Sequence, residues 1–152
     1  MNDHHDLGAM AKDIIDSNPY MTLATADGSG RPWVSPVYYA PDGYAEFYWV
    51  SSPEANHSRN IAARSEVAVV IFDSRAPVGR GQGVYMAAVA EELTGADLDT
   101  GIAIFSRRSE THGAGGWTPE DVKPPASHRL YRAIASEHWV LGPQDRRTRV
   151  TL

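Results

Sequence analysis

The chain has 152 residues, 42% of them hydrophobic, and a formal net charge of −5, which suits one domain with a sizeable core. The negative balance excludes a general nucleic-acid binder, which holds phosphate backbones with clustered Lys and Arg, and no apolar run approaches the ~20 residues of a membrane span. Cysteine is absent, so disulfides, thiolate metal sites and a Cys nucleophile are out, and redox chemistry has to come from a bound cofactor.

The start, Met1-Asn2-Asp3-His4-His5-Asp6, lacks the basic opening and apolar stretch of a signal peptide, so a cytoplasmic location is the default expectation. Leu7, Met10, Ala11, Ile14 and Ile15 recur at helical spacing and predict an amphipathic helix to Ser17, stopped by Asn18-Pro19. Tyr20 to Ala26 reads as a strand, and Asp27-Gly28-Ser29-Gly30 as a hairpin turn into a second strand from Arg31 to Ala40. Pro41-Asp42-Gly43 turns the chain into a third, Tyr44 to Ser51, which predicts a three-stranded meander.

Ser52 is placed to cap, and Pro53 to begin, a helix running to Arg64. The uninterrupted apolar run Val67 to Phe72 predicts a strand buried on both faces. Gly79-Arg80-Gly81-Gln82-Gly83 leads into a long strand from Val84 to Leu93, and Asp97 to Arg108 reads as a helix with Leu98, Ile102 and Phe105 on one face. Ser109 to Ser127 is irregular, with Trp117 among glycines, and loops of this length are usually functional or mobile. Arg129 to Ile134 and Glu137 to Leu141 predict a closing pair of strands. The two short basic clusters read as a helix C-terminal cation pair, Arg107-Arg108, and a solvated tail, Arg146-Arg147-Thr148-Arg149. No repeat or linker divides residues 1–152. About six antiparallel strands with two or three helices imply a mainly β, small barrel domain.

The stretch Arg31 to Asn60 carries the functional signal. An aromatic strand pair delivers two hydroxyls, Ser51 and Ser52, to a helix start that carries His57, Ser58, Arg59 and Asn60. A helix N-terminus has free N–H groups and a positive dipole end, both of which attract an anion. His57 and Arg59, one to two turns in, lean back toward it. A flat ring held by the strands and a phosphate held by the helix describe a flavin-type nucleotide.

These segments resemble the flavin-binding split β-barrel proteins of the pyridoxamine-phosphate-oxidase-like group. The resemblance rests on Leu23-Ala24-Thr25-Ala26-Asp27-Gly28, Arg31-Pro32-Trp33-Val34-Ser35-Pro36-Val37, Phe47-Tyr48-Trp49-Val50-Ser51-Ser52, His57-Ser58-Arg59-Asn60-Ile61 and Val67-Ala68-Val69-Val70, in that order and spacing. It implies a six-stranded antiparallel split β-barrel with flanking helices. It also implies a homodimer with two FMN sites at the subunit interface. Carried over by position, Trp33, Val34, Ser35 and Pro36 line the isoalloxazine ring, Trp49, Val50 and Ser51 lie on the neighbouring strand, and Ser51 touches the phosphate. His57 stands where many members have a Lys or Arg, which shifts the charge burden to Arg59. Pro36 replaces a frequent basic residue, and no substrate-phosphate clamp is recognisable near the C-terminus, so pyridoxamine phosphate is not the expected substrate.

Trp117, in its glycine-rich loop, is expected to act as a lid on the cofactor or substrate pocket. Trp139 is an alternative cofactor wall, and Gln82 a candidate for the ring edge. The sequence offers no catalytic acid or base, so the chemistry would be the cofactor's own, with a reduced nicotinamide as electron source that binds only transiently, since no dinucleotide fingerprint is present. His4, His5, His57, His112, His128 and His138 have no metal-ligand spacing, and no metal site is expected. The function expected is an FMN-dependent oxidoreductase acting on a small organic substrate. The alternatives are a deazaflavin-dependent reductase and a non-catalytic flavin- or haem-binding protein, with His138 or His128 as the suspected haem ligand.

Overall fold

Asp27 organises the first hairpin: its Oδ1 accepts the Ser29 and Arg31 N–H groups, both at 2.9 Å, and the Ser29 hydroxyl at 2.8 Å. These bonds, the Arg31 N–H first, hold its carboxyl below the usual carboxylate range. The computed structural model describes residues 3–142 and 145–152, with backbone alone for residues 3–6. Met1, Asn2 and the side chains of His4 and His5 therefore lie outside the described residues.

In chain order the elements are α1 (Asp3–Ser17), β1 (Tyr20–Ala26), β2 (Pro32–Tyr38), β3 (Ala40–Asp42), β4 (Glu46–Ser51), α2 (Asn56–Ala63), β5 (Glu66–Phe72), β6 (Gly83–Glu92), α3 (Gly95–Thr111), a 3₁₀ turn (Pro119–Val122), β7 (Arg129–Leu141) and β8 (Arg147–Val150). All strand pairs are antiparallel, in the order β2-β1-β5-β6-β7-β4-β3, with β8 also on β7. The sheet curls until β2 lies against β4 without strand pairing to it. The fold is a split β-barrel with flanking helices.

Four expectations need correction. The predicted meander is interrupted at Tyr39, whose N–H donates to Pro19 O and whose ring is buried against Phe47, so β3 turns away from β1 and pairs β4. The predicted closing pair is the single strand β7. Ser136 is its extra residue, absorbed as a bulge opposite Ala87/Ala88. The supposed solvated tail contains β8, paired from Arg147 to Val150 with β7. Finally, β5 is buried on one face only: Val67, Val69 and Ile71 point inward, while Ala68 and Phe72 are exposed.

Two apolar clusters hold the fold. Ala11, Ile14 and Ile15 of α1 enter the barrel interior among Met21, Leu23, Phe47, Trp49, Ile71 and Val84. Leu98, Ile102 and Phe105 of α3 pack outside it on Tyr48, Leu130 and Val122. Gly101 lets α3 approach closely, because a Cβ there would sit 2.7 Å from the Tyr48 ring. Arg108, one of the expected helix C-terminal cation pair, lies in the last turn of α3 and also ties these parts together. Its guanidinium donates to Tyr39 O at 2.7 Å and Asn18 O at 3.0 Å, and lies 4.6 Å from the Tyr39 ring centroid.

Candidate functional site

The split between β2 and β4 is the chemically unfinished part of the barrel. Among the described residues β2 pairs only with β1, and beyond Tyr48 β4 pairs only with β7. Both strands therefore turn unpaired backbone edges toward each other, and such N–H and C=O groups need partners from a ligand, water or another chain.

Predicted ring-lining residues occupy this edge but not one face. Residues directly opposite in an antiparallel pair share a face, so Trp33 and Ser35 lie with Thr25 and Leu23 on the inner side, and Val34 and Pro36 with Ala24 and Thr22 on the outer side. Trp33 and Val34 are 48% and 58% exposed, on opposite faces of this edge strand. Trp49 lies on the neighbouring strand, β4, as expected. Its indole is sealed in the core and stacked on Tyr131 at 5.7 Å and 14°, so only its backbone edge faces the split. The Trp49 Nε1–H is buried without a partner among the described residues.

At the end of β4 the chain makes a stitched turn before α2. Ser52 does not cap the helix: its Oγ accepts the Glu54 N–H at 3.1 Å, and its carbonyl accepts the Ser58 hydroxyl at 2.7 Å. The helix begins at Asn56 with Ala55 as N-cap and no side-chain cap, because Pro53 and Glu54 are used in the turn. The first-turn N–H groups are left for another acceptor. His57 is buried and its Nε2 lies 2.9 Å from Ser51 Oγ. Burial lowers its pKa, so the imidazole is neutral at pH 7. Asn60 donates to Thr25 Oγ1 at 3.0 Å and fixes α2 over the end of β1.

Arg59 is not part of this arrangement. It is exposed, donates to Glu54 Oε2 at 2.6 Å, and lines a separate cleft with Glu91, Glu92 and Tyr131. The turn of three residues between Ser52 and the true helix start rotates Arg59 away from Ser51. Of the two, only His57 stays beside Ser51 at the start of α2.

Gln82 and Trp139 are not brought to the split within one chain, whereas Trp117 lines a cleft that reaches it at Val50. Gln82 lines a groove with Arg80 and Leu141. Trp139 is on the outer face of β7, four strand spacings from β2, roughly 19 Å in a flat sheet. Trp117 packs edge-on to Phe105 and His128, and its backbone N–H donates to Ser106 Oγ at 2.8 Å. His138 is turned inward, buried, with Nε2 donating to Tyr44 O at 2.8 Å, so it does not serve as the suspected haem ligand. His128 is exposed. Among the described residues no group of three or more His, Asp or Glu is arranged to hold a metal ion.

Sequence reasoning missed a cleft of about 510 Å³ lined by Tyr20, Tyr38, Val50, His112, Trp117 and His128. Tyr38 Oη lies 2.6 Å from His112 Nδ1 across 74 positions of sequence, a pairing no local motif announces. Burial keeps the Tyr38 hydroxyl protonated, raising its pKa.

A curled antiparallel sheet left open between two strand edges, with flanking helices, is the architecture of the split-barrel class of proteins. The family profile described as pyridoxamine 5'-phosphate oxidase matches residues 7–139, and the chain belongs to that family. No curated protein matches the chain. Among solved structures it is similar to a haem-binding protein from Mycobacterium smegmatis, at 22% identity and TM-score 0.71 over 92% of this chain and 55% of that one. It thus spans about half the length of that protein. It is also similar to HutZ, the haem storage protein from Vibrio cholerae, at 17% identity and TM-score 0.72, covering 92% and 99% of the two chains. A third, a Listeria innocua protein that bears the name pyridoxamine 5'-phosphate oxidase without that activity being established, has 15% identity and TM-score 0.63 over 86% and 94%. At these identities the likeness is one of fold. No helix among the described residues is long and apolar enough to cross a membrane.

Proposed function

We propose that this protein is an FMN-dependent oxidoreductase that acts on a small organic substrate, with the ring along the β2 and β4 edges and the phosphate at the start of α2. The carrying observation is the coincidence of two unpaired strand edges with an uncapped helix N-terminus that also presents Ser51 and His57. The donor set suits a phosphate monoester: first-turn N–H groups, the Ser51 hydroxyl and an imidazole that gains charge when a dianion approaches. When bound, the flavin would supply hydride or electron transfer. The protein would hold it, hydrogen-bond its edge and keep water out. A deazaflavin fits the ring contacts equally, and the phosphate distinguishes neither. Titration with FMN, riboflavin and deazaflavin, followed by flavin fluorescence, tests the reading. FMN should bind at least tenfold tighter than riboflavin, and a protein that binds none of the three ends the proposal.

The active unit in this reading is a homodimer. Pro36, Thr22, Val70, Tyr85 and Trp139 form one row across five strands of the outer face, and Val34, Ala24, Ala68 and Ala87 the next. With Tyr20 and Phe72 exposed by 60% and 48% nearby, this face is apolar enough to need covering. A second copy would bring Trp139 and Gln82 to the split from the other side.

Haem is the second reading, favoured by the aromatic cleft with His128 and His112 at its rim and by the haem-binding proteins among the structural relatives. A Soret band on adding haemin that vanishes in His128→Ala would establish it.

A further inference from the structure

The cleft beside the split differs from ordinary surface packing in how its rings are arranged. Tyr20 meets Tyr38 edge-on at 6.0 Å, Tyr38 meets Phe105 at 5.6 Å, Phe105 meets Trp117 at 5.9 Å, and Trp117 meets His128 at 6.2 Å, with interplanar angles between 73° and 80°. His112 continues the chain from Tyr38 at 5.7 Å and 75°. Six rings thus wall one open space. They do not seal it: Tyr20, His112 and His128 remain exposed and Trp117 is half-buried. Edge-to-face walls present both ring edges and ring faces to an incoming aromatic group.

Polar groups converge at one end. Tyr38 Oη and His112 Nδ1 share one proton between them at 2.6 Å. Whichever atom carries it, the pair has one donor left over, Tyr38 O–H if the imidazole donates, or His112 Nε2–H if the hydroxyl does. The corner therefore offers a donor to an acceptor on the ligand. His128 adds a second imidazole, and among the described residues no Asp or Glu lines the cleft. An anionic acceptor meets no opposing carboxylate there.

Val50 connects this cleft to the split. Its backbone lies on the unpaired β4 edge, while its side chain lines the cleft.

We propose that this cleft is the binding subsite for a small planar aromatic carboxylate, with Trp117, Phe105 and Tyr20 enclosing the ring and the Tyr38–His112 pair binding the carboxylate. That such a ligand is the substrate rests on the flavin reading above; that it binds does not. Trp117 in this account is a fixed wall of the subsite, in place of a moving lid.

Calorimetric titration of the full chain with 2-naphthoate tests the assignment, with naphthalene as the ligand that lacks an acceptor. One site per chain is expected. Trp117→Ala should weaken both ligands at least tenfold, with Trp117→Phe restoring most of the loss. His112→Ala, at an exposed position that leaves the core intact, should weaken 2-naphthoate fivefold or more and leave naphthalene unchanged. FMN affinity, measured on the same variants, should not move, so loss of FMN binding in the wild-type chain would remove the flavin reading without touching the subsite. The proposal fails if 2-naphthoate does not bind at millimolar concentration, or if it binds wild type and both variants alike. It also fails if haemin occupies the cleft with a Soret band that depends on His128.

Discussion

His57 and Arg59 stand two residues apart, yet the structure gives them opposite prospects. His57 is buried against Ser51 at the uncapped start of α2, whereas Arg59 is exposed and engaged by Glu54, beside Glu91 and Glu92. A hydrogen bond to a charged group contributes about 1.5–3 kcal/mol, so His57→Ala should weaken FMN by roughly one to two decades. A surface ion pair contributes about 0–1 kcal/mol, so Arg59→Ala should change FMN affinity by less than about fivefold. Riboflavin, without phosphate, should ignore both changes. The sign of the pH dependence follows from the imidazole. Burial lowers the His57 pKa in the free protein, and an adjacent phosphate raises it, so binding takes up a proton. FMN affinity should therefore rise as pH falls from about 8 toward about 6, where the phosphate itself begins to protonate, and His57→Asn should flatten the slope. Flavin fluorescence quenching across that range is the assay. A decade lost in Arg59→Ala with His57→Ala silent, or equal losses for riboflavin, would refute the reasoning.

Four other outcomes follow from the packing. Because burial lowers the His57 pKa, the unfolded chain binds the proton more readily. Stability should be intact well above about pH 6.5 and decline as pH falls through the folded pKa, and the decline should be smaller in His57→Gln by urea unfolding at two pH values. Gly101→Ala forces a methyl onto the Tyr48 ring and Leu130 and should cost about 1–3 kcal/mol in the same assay; a stabilised protein would contradict the close helix approach. Arg108→Met removes two good charge-assisted bonds to partly buried carbonyls and a ring contact and should cost about 2–4 kcal/mol, visible as a lower urea midpoint. Val70→Glu, on the outer apolar rows, should shift sedimentation equilibrium from dimer to monomer, and a wild-type chain that sediments as a monomer would end the dimer proposal.

The sequence by itself determined the elements whose evidence is local. The apolar spacing of Leu7 to Ile15, the Asp27 turn and the Leu98, Ile102, Phe105 face each state their structure within a few residues, and the ordered motifs from Leu23 to Val70 identify the family. Tertiary structure decided what depends on partners distant in the chain. The pattern of Val67 to Phe72 is apolar throughout, and only its neighbours reveal that one side is left open. Trp33 and Trp49 look alike as strand residues, but one falls on an edge and the other in the core beside Tyr131. Arg59 was legible as a cation near a helix start, and its direction was not, because a side chain's bearing on a helix turns by about 100° for each residue that the start is displaced. Tyr38 and His112 meet only because α3 is packed across the barrel, and a contact made by folding has no trace in either residue's own surroundings.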